Sequence, residues 1–377
     1  MADEVFIPED EEELAAWLAW LETEEDPALQ AVLEELESPW FSEMVMFTGA
    51  GFRENVLRGS EVERDGWFHW IGGEGFWIHE GTAGRRLTLF LAGEAQRYPD
   101  LDEAPDEINA FAYSRWDVPF SERTEGWLGA TLVYSQQPFD LSRDELEVFV
   151  ETVSQRSVRG EMGVRRSFAD HHRVAMRVLG NRVFHRLSVE DYSEGSLRGG
   201  WRREPTGGPW VVEGSLEGSW RWFDHRPIRA EDGTALPDTS LRFQQLQAVL
   251  DSQWRLPADP RWRLRARLSH AWRWDNGEGY FDYTRWLTTL GPEFVGERIR
   301  VRVNAGRTGY RYDNQTVSPG EEEPYRWSDW HMELQCDWKI TPRATLRWQS
   351  GWETLQSRRP QESYRSRYIS LAFRWEI

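Results

Sequence analysis

The sequence predicts an all-β chain, an antiparallel barrel that spans a membrane with about sixteen strands (about fourteen is the alternative count), behind a short N-terminal helical segment. Three observations predict it. From Ser366 to Ile377 the side chains alternate: Ile369, Leu371, Phe373, Trp375 and Ile377 share one face, and Ser366, Tyr368, Ser370, Ala372, Arg374 and Glu376 the other. The same period of two recurs through most of the chain, and the links between these segments are by turns short and long. A strand of this kind lays one face on hydrocarbon and turns the other to water. One such strand does not decide, because a half-buried strand of a soluble sandwich alternates too. The repetition decides, since a sandwich hides its apolar faces in one dry core and seldom sets so many charges opposite them.

Composition agrees. Mean hydropathy is −0.70, and no apolar run is long enough to cross a bilayer as a helix. In a barrel only every second strand residue meets lipid, so low hydropathy is expected. Many of the 23 tryptophans fall near strand ends, as Trp330 and Trp338 do, where an amphipathic ring settles at headgroup level. A tryptophan-rich sugar-binding protein is the bland alternative, and no repeat of fixed period supports it. The single cysteine, Cys336, excludes an internal disulfide and a cysteine-based zinc cluster. No cofactor or metal site is read in the chain, and a net charge of −19 disfavours nucleic acid.

The elements follow in order. Residues 1–42 form an acidic segment that carries −14 of the −19 and no basic residue. Within it, 10–38 read as two short helices: Leu14, Trp17, Leu18 and Leu21 keep helical spacing, and Asp26-Pro27 can start a second helix with the stripe Leu29, Val32, Leu33 and Leu36. Met1-Ala2-Asp3-Glu4 opens on acid rather than on an apolar stretch, so an exported chain of this kind is expected to have lost its signal and gained Met1. The barrel is expected over 43–377. Its strands are read near 44–54, 66–78, 85–98, 107–116, 126–136, 155–168, 172–185, 192–203, 209–223, 240–256, 261–274, 280–290, 298–312, 326–340, 343–356 and 364–377. Thr341-Pro342, Gly291 to Glu297, Pro257 to Pro260, Pro205 to Gly208 and Ala169-Asp170 are short links. Links at 357–363, 313–325, 224–239, 186–191 and 137–154 are longer, and 275–279 is a short exception among them. Short periplasmic turns and long outer loops give an even count with both termini periplasmic.

The polar faces hold the sharpest candidate site. Arg261, Arg263, Arg265, Arg267 and Arg273 share a face, Arg298, Arg300 and Arg302 share one two strands on, and Arg285 lies on the strand between. Asp329, Glu333, Asp337 and Glu353 are expected inward further round, and Glu213, Glu217 and Asp251 on the other flank. A basic stripe beside acidic ones would set a field across a water-filled lumen. The competing reading is that these charges pair across neighbouring strands and fill the interior. Catalysis has little to stand on. Ser269 and His270 are adjacent and so lie on opposite faces, His171-His172 falls at a short turn, and Asp224-His225 has no serine placed beside it.

Several segments resemble known proteins. The alternating C-terminal strand with Phe373 and Trp375 is similar to the last strand of bacterial outer-membrane barrels, and the basic stripe resembles the constriction of general porins and the lumen of export barrels. Gly51-Phe52-Arg53-Glu54-Asn55-Val56 resembles the first strand of barrels that follow periplasmic helical repeats, those of polysaccharide export and surface-lipoprotein assembly. Gly279-Tyr280-Phe281-Asp282-Tyr283-Thr284-Arg285-Trp286 is similar to a strand start in such proteins. The resemblance implies the outer membrane of a Gram-negative bacterium, contact with its lipids, and recognition of the C-terminal strand by the barrel-assembly machinery. It also implies a polar solute as cargo and a periplasmic partner for 1–42. Two functions follow as expectations: a channel for polar, including anionic, solutes, or a non-conducting structural or assembly barrel with a plugged or salt-bridged lumen.

Overall fold

Amphipathic strands paired edge to edge leave no free edge if the last pairs with the first. The computed structural model describes residues 40–58, 63–101, 106–140, 150–168, 171–205, 208–317, 323–359 and 362–377, and its strands close in that way. They are β1 Trp40–Glu54, β2 Gly66–Glu80, β3 Arg86–Arg97, β4 Glu107–Ser121, β5 Thr124–Asp140, β6 Val150–Phe168, β7 His172–His185 and β8 Tyr192–Arg203. The second half comprises β9 Trp210–Phe223, β10 Arg242–Arg255, β11 Trp262–Asp275, β12 Tyr283–Val295, β13 Ile299–Thr316, β14 Pro324–Thr341, β15 Ala344–Ser357 and β16 Tyr364–Glu376. Neighbours are antiparallel, and β16 closes on β1 with Val45 opposite Glu376 and Glu54 opposite Arg367.

Each expected strand has its counterpart, and the differences lie at the ends. β1 begins at Trp40, ahead of the boundary expected at 43. The helices expected over 10–38 lie outside the described residues. β12 starts at Tyr283 and runs to Val295, past the Gly291-Pro292 read as its end. Pro292 has no N–H to give, and the β12–β13 register passes from Leu290–Ala305 to Glu293–Arg302 around it. The link before β12 is 276–282, so the expected exception to the long-link rule disappears. Asp275 shapes that link, its carboxylate accepting the N–H groups of Gly277, Gly279 and Phe281 at 2.8, 3.1 and 2.9 Å. The links 81–85, 122–123, 169–171, 204–209, 256–261, 296–298 and 342–343 lie at the end that holds the C-terminus and the start of β1, which marks it as periplasmic.

The outward face is apolar. Met46, Ile71, Leu132, Met162, Leu216, Leu268, Met332 and Leu371 stand about half exposed on it. Exposed tryptophans flank this belt: Trp254, Trp262, Trp338 and Trp375 toward the periplasmic end, Trp67, Trp220, Trp274 and Trp330 toward the other. Leaving one such side chain in water forfeits about 1.5–3 kcal/mol, so a belt of them is stable only against hydrocarbon. No helix among the described residues is long and apolar enough to cross a membrane, and the strands do the crossing. The chain is a transmembrane barrel of the bacterial outer-membrane kind.

The interior is uneven. Inside β1 to β4, Phe47, Phe68, Trp70, Phe90, Phe111 and Tyr113 pack with Val56 and Leu57 of the 55–65 link and Tyr98 of the 98–106 link. The chain turns inward there at Asn55, whose φ of 50° is left-handed. Elsewhere the inward face is mostly polar.

Candidate functional site: the charged lumen wall

The period of two fixes which side chains reach the lumen. On β11 they include Arg263, Arg265, Arg267 and Arg273, on β12 Arg285 and Glu293, and on β13 Arg300 and Arg302, since these positions face one another across the register. Glu293 is the hub. It is 1 % exposed, and it takes Arg300 at 2.7 Å, Arg302 at 3.2 Å and Arg265 at 3.6 Å. Arg263 stands directly opposite it on β11. The Nε atoms of Arg263 and Arg265 have no hydrogen-bond partner among the described residues. Asp275, at the far end of β11, is the other acid on these three inward faces among the described residues. One carboxylate cannot neutralise three guanidinium groups, so the wall stays basic here.

Two residues of the expected stripe lie elsewhere. Arg261 belongs to the 256–261 link, where it grips Asp259 through two hydrogen bonds of 2.9 Å and holds that carboxyl below its usual range. Its guanidinium sits over the outward ring of Phe294 at 5.4 Å. Arg298 is exposed in the 296–298 link. Both mark the periplasmic rim. Arg267 reaches Asp251 of β10 at 3.8 Å, and Arg273 donates to Gln245 at 3.0 Å.

Asp329, Glu333, Asp337 and Glu353 share the inward positions of β14 and β15, and several are paired. Asp337 receives Arg347 at 3.0 Å, Glu353 receives Arg58 at 2.9 Å, and Glu333 accepts from Gln349 at 3.4 Å. Asp329 lies opposite Thr308 and Leu355. On the other flank Arg177 joins Glu161 at 3.3 Å to Glu217 at 3.7 Å, and Arg198 reaches Glu213 at 3.7 Å. Pairing therefore dominates on β6 to β9 and β14 to β15, and the basic excess is confined to β11 to β13.

Sequence reasoning missed two features. A cavity of about 890 Å3 opens at the periplasmic end below the stripe, lined among others by Arg123, Arg173, Arg202, Arg255, His171 and Glu204. Arg202 pairs with Glu204 at 2.7 Å, and Arg255 faces Arg263 across β10–β11, so vestibule and stripe are one basic surface. At the outer end the wall is aromatic. Tyr310 stacks on Trp327 at 3.9 Å, Phe223 meets Phe243 edge-on at 5.6 Å, and Arg273 lies over Phe243 at 4.8 Å and Tyr283 at 4.6 Å. The 224–241 link folds over this cluster, with Arg226 on the rings of Phe223 and Phe281 at 5.3 and 5.0 Å. These aromatics are in phase with the charged face of their strands, and that phase was the signal.

On the packed side, Tyr98 donates to Glu107 at 2.8 Å and accepts from Arg53 at 3.2 Å, and burial pushes its phenol up. Of the weak catalytic candidates, Ser269 faces inward and accepts from Gln247 at 3.2 Å, while the adjacent His270 faces out, packed edge-on against Trp272 at 4.3 Å. Asp224 is engaged by Arg182, whose hydrogen bonds hold its carboxyl below the usual range.

No protein-family model matches the sequence, and no curated protein matches it. Solved structures do resemble the fold. The outer membrane protein OpdK of Pseudomonas aeruginosa is 11% identical, with 89% of this chain and 99% of that chain covered and a TM-score of 0.46. OccK9 (OpdG) of the same organism is 9% identical, with 89% and 98% covered and a TM-score of 0.49. A BenF-like porin of Pseudomonas fluorescens Pf-5 is 10% identical, with 90% and 99% covered and a TM-score of 0.45. The likeness is one of barrel architecture.

Proposed function

We propose that the barrel is a channel for small anionic polar solutes, drawn past the arginines of β11 to β13 into the basic periplasmic vestibule. The observation that carries this reading is the one buried carboxylate of Glu293 shared by Arg265, Arg300 and Arg302. Barrels of about sixteen strands leave an aqueous lumen. A one-signed wall in a low-dielectric channel focuses the field and raises the local concentration of counter-ions. The chain charge of −19 does not oppose this, because −14 belongs to residues 1–42 and the wall residues nearest the path set the field.

The test is a reversal potential in planar bilayers under a salt gradient. Anion preference is expected of the parent protein. Replacing Arg263, Arg265 and Arg300 together by Gln moves the reversal potential toward cations. Conductance with unchanged selectivity in that triple variant would make these arginines paired wall-fillers. A second reading, a non-conducting structural barrel, draws support from the apolar packing inside β1 to β4 and the ion-pair lattice of β6 to β9. A silent parent protein favours it.

A further inference from the structure

The lipid-facing side of the barrel carries a feature that a plain hydrocarbon belt does not need. At the outer end of β12 to β15 a groove of about 650 Å3 opens on the outside wall, lined by Trp286, Arg307, Arg311, Arg326, Gln356 and Arg358 among others. Arg307 points outward at the depth of the tryptophan girdle, its guanidinium 4.9 Å from the ring of Trp286 and 4.5 Å from that of Trp330. Its Nε has no hydrogen-bond partner among the described residues. Trp286 reaches this place because it lies across Gly309, where a Cβ would collide with the indole. Two repeats of the pleat higher, Arg311 and Arg326 face each other directly across β13–β14.

Like charges directly opposite on a sheet repel, so the folded chain alone gains nothing from this pair. Neither arginine makes an ion pair among the described residues. Elsewhere on the outer rim Arg182 has Asp224, and Arg367 has Glu54 at 3.9 Å. Among the described residues the acids near the groove are Asp313, in its lining, and Glu323, which takes Arg358 at 2.7 Å. Among those residues positive charge is in excess, and it sits where the outer leaflet carries its headgroups.

We infer that this groove binds the phosphorylated headgroup of an outer-leaflet glycolipid. The phosphate accepts from Arg311 and Arg326 in the bidentate manner guanidinium favours, which turns a repulsive pair into a clamp. Arg307, held between two indoles, directs its donors up from the hydrocarbon edge, the direction in which a buried arginine reaches polar groups at least cost. The acyl chains then run down the apolar belt past Trp286 and Trp330. Both the face and the end of the barrel point to a lipid rather than a soluble anion, because the groove opens on the bilayer and not on the lumen.

The test uses the folded barrel in phosphatidylcholine vesicles, alone or doped with diphosphorylated lipid A, with its dephosphorylated form, or with inorganic phosphate in solution. The midpoint of heat-modifiable migration is read against lipid fraction. Diphosphorylated lipid A is expected to raise the midpoint, and the dephosphorylated lipid and inorganic phosphate to leave it in place. Arg311→Gln with Arg326→Gln folds at least as well in phosphatidylcholine and binds diphosphorylated lipid A about tenfold more weakly, from the loss of charge-assisted hydrogen bonds. Equal shifts from both lipids, a shift from inorganic phosphate alone, or an undiminished shift in the double variant would overturn the inference. The comparison of lipids on the parent protein stands whether or not the variant folds.

Discussion

Changing Leu334 to Arg places a charge on the outward face of β14, where Leu334 stands opposite Val303 and Ser350. The girdle residues Trp330 and Trp338 lie on the same face of the same strand. With a rise of about 3.4 Å per residue and a strand tilt of about 40°, they are about 20 Å apart along the membrane normal, and Leu334 is about 10 Å from either. That is the hydrocarbon midplane, where an arginine costs about 2–4 kcal/mol, against about 0–1 kcal/mol at the interfaces. Glu333→Arg, one residue away, points into the lumen. It loses the 3.4 Å contact from Gln349, and the inward acids of the same strand, Asp329 and Asp337, lie four residues away on either side. Its expected cost is within about 1 kcal/mol, as for partly solvated charges. Denaturant unfolding in vesicles, followed by tryptophan emission and by heat-modifiable migration, measures both. Equal destabilisation by the two variants would mean that the faces of β14 are assigned wrongly.

Further outcomes follow from the same geometry. Glu293→Gln removes the shared carboxylate and should cost about 1–3 kcal/mol, less than a fully buried pair because the arginines are partly solvated, while anion preference rises. Selectivity that moves toward cations would contradict the hub. Gly351→Val collides with the ring of Tyr368 laid across it and should cost about 1–3 kcal/mol, whereas Gly180→Ala, which meets open space, should be neutral or slightly stabilising. Equal unfolding midpoints for those two glycine variants would contradict the packing. Replacing 228–238 by a short Gly-Ser link uncovers the aromatic outer mouth, and single-channel conductance should rise; an unchanged value would place that link off the path.

The barrel was legible because a period of two, once repeated along a chain, admits few structures. Leu334 and Glu333 could be assigned to opposite sides of a membrane from spacing alone, since a slip of one residue exchanges lipid for lumen. The site was legible only in part. Arg263, Arg265, Arg300 and Arg302 were placed inward by parity, but their partner was hidden by Gly291-Pro292, which reads as a strand end and left Glu293 in a turn. Pairing is a property of register, and register between strands far apart in the chain is not written in either strand. Arg261 and Arg298 have the right parity and sit beyond the ends of β11 and β13, where parity no longer binds. The packed lining of β1 to β4 was also missed. Phe47, Phe68 and Phe90 occupy inward positions that look lipid-suited, and only the packing of Val56, Leu57 and Tyr98 against them explains them.

The central claim is that water and anions pass along the β11–β13 side of the lumen, away from the apolar packing inside β1 to β4. Single-channel recording of the parent protein in a planar bilayer with symmetric salt tests it most directly. The account predicts discrete conductance steps on insertion. Stable insertion, verified by heat-modifiable migration of the recovered protein, without conductance steps would contradict it and leave a structural barrel with a sealed lumen.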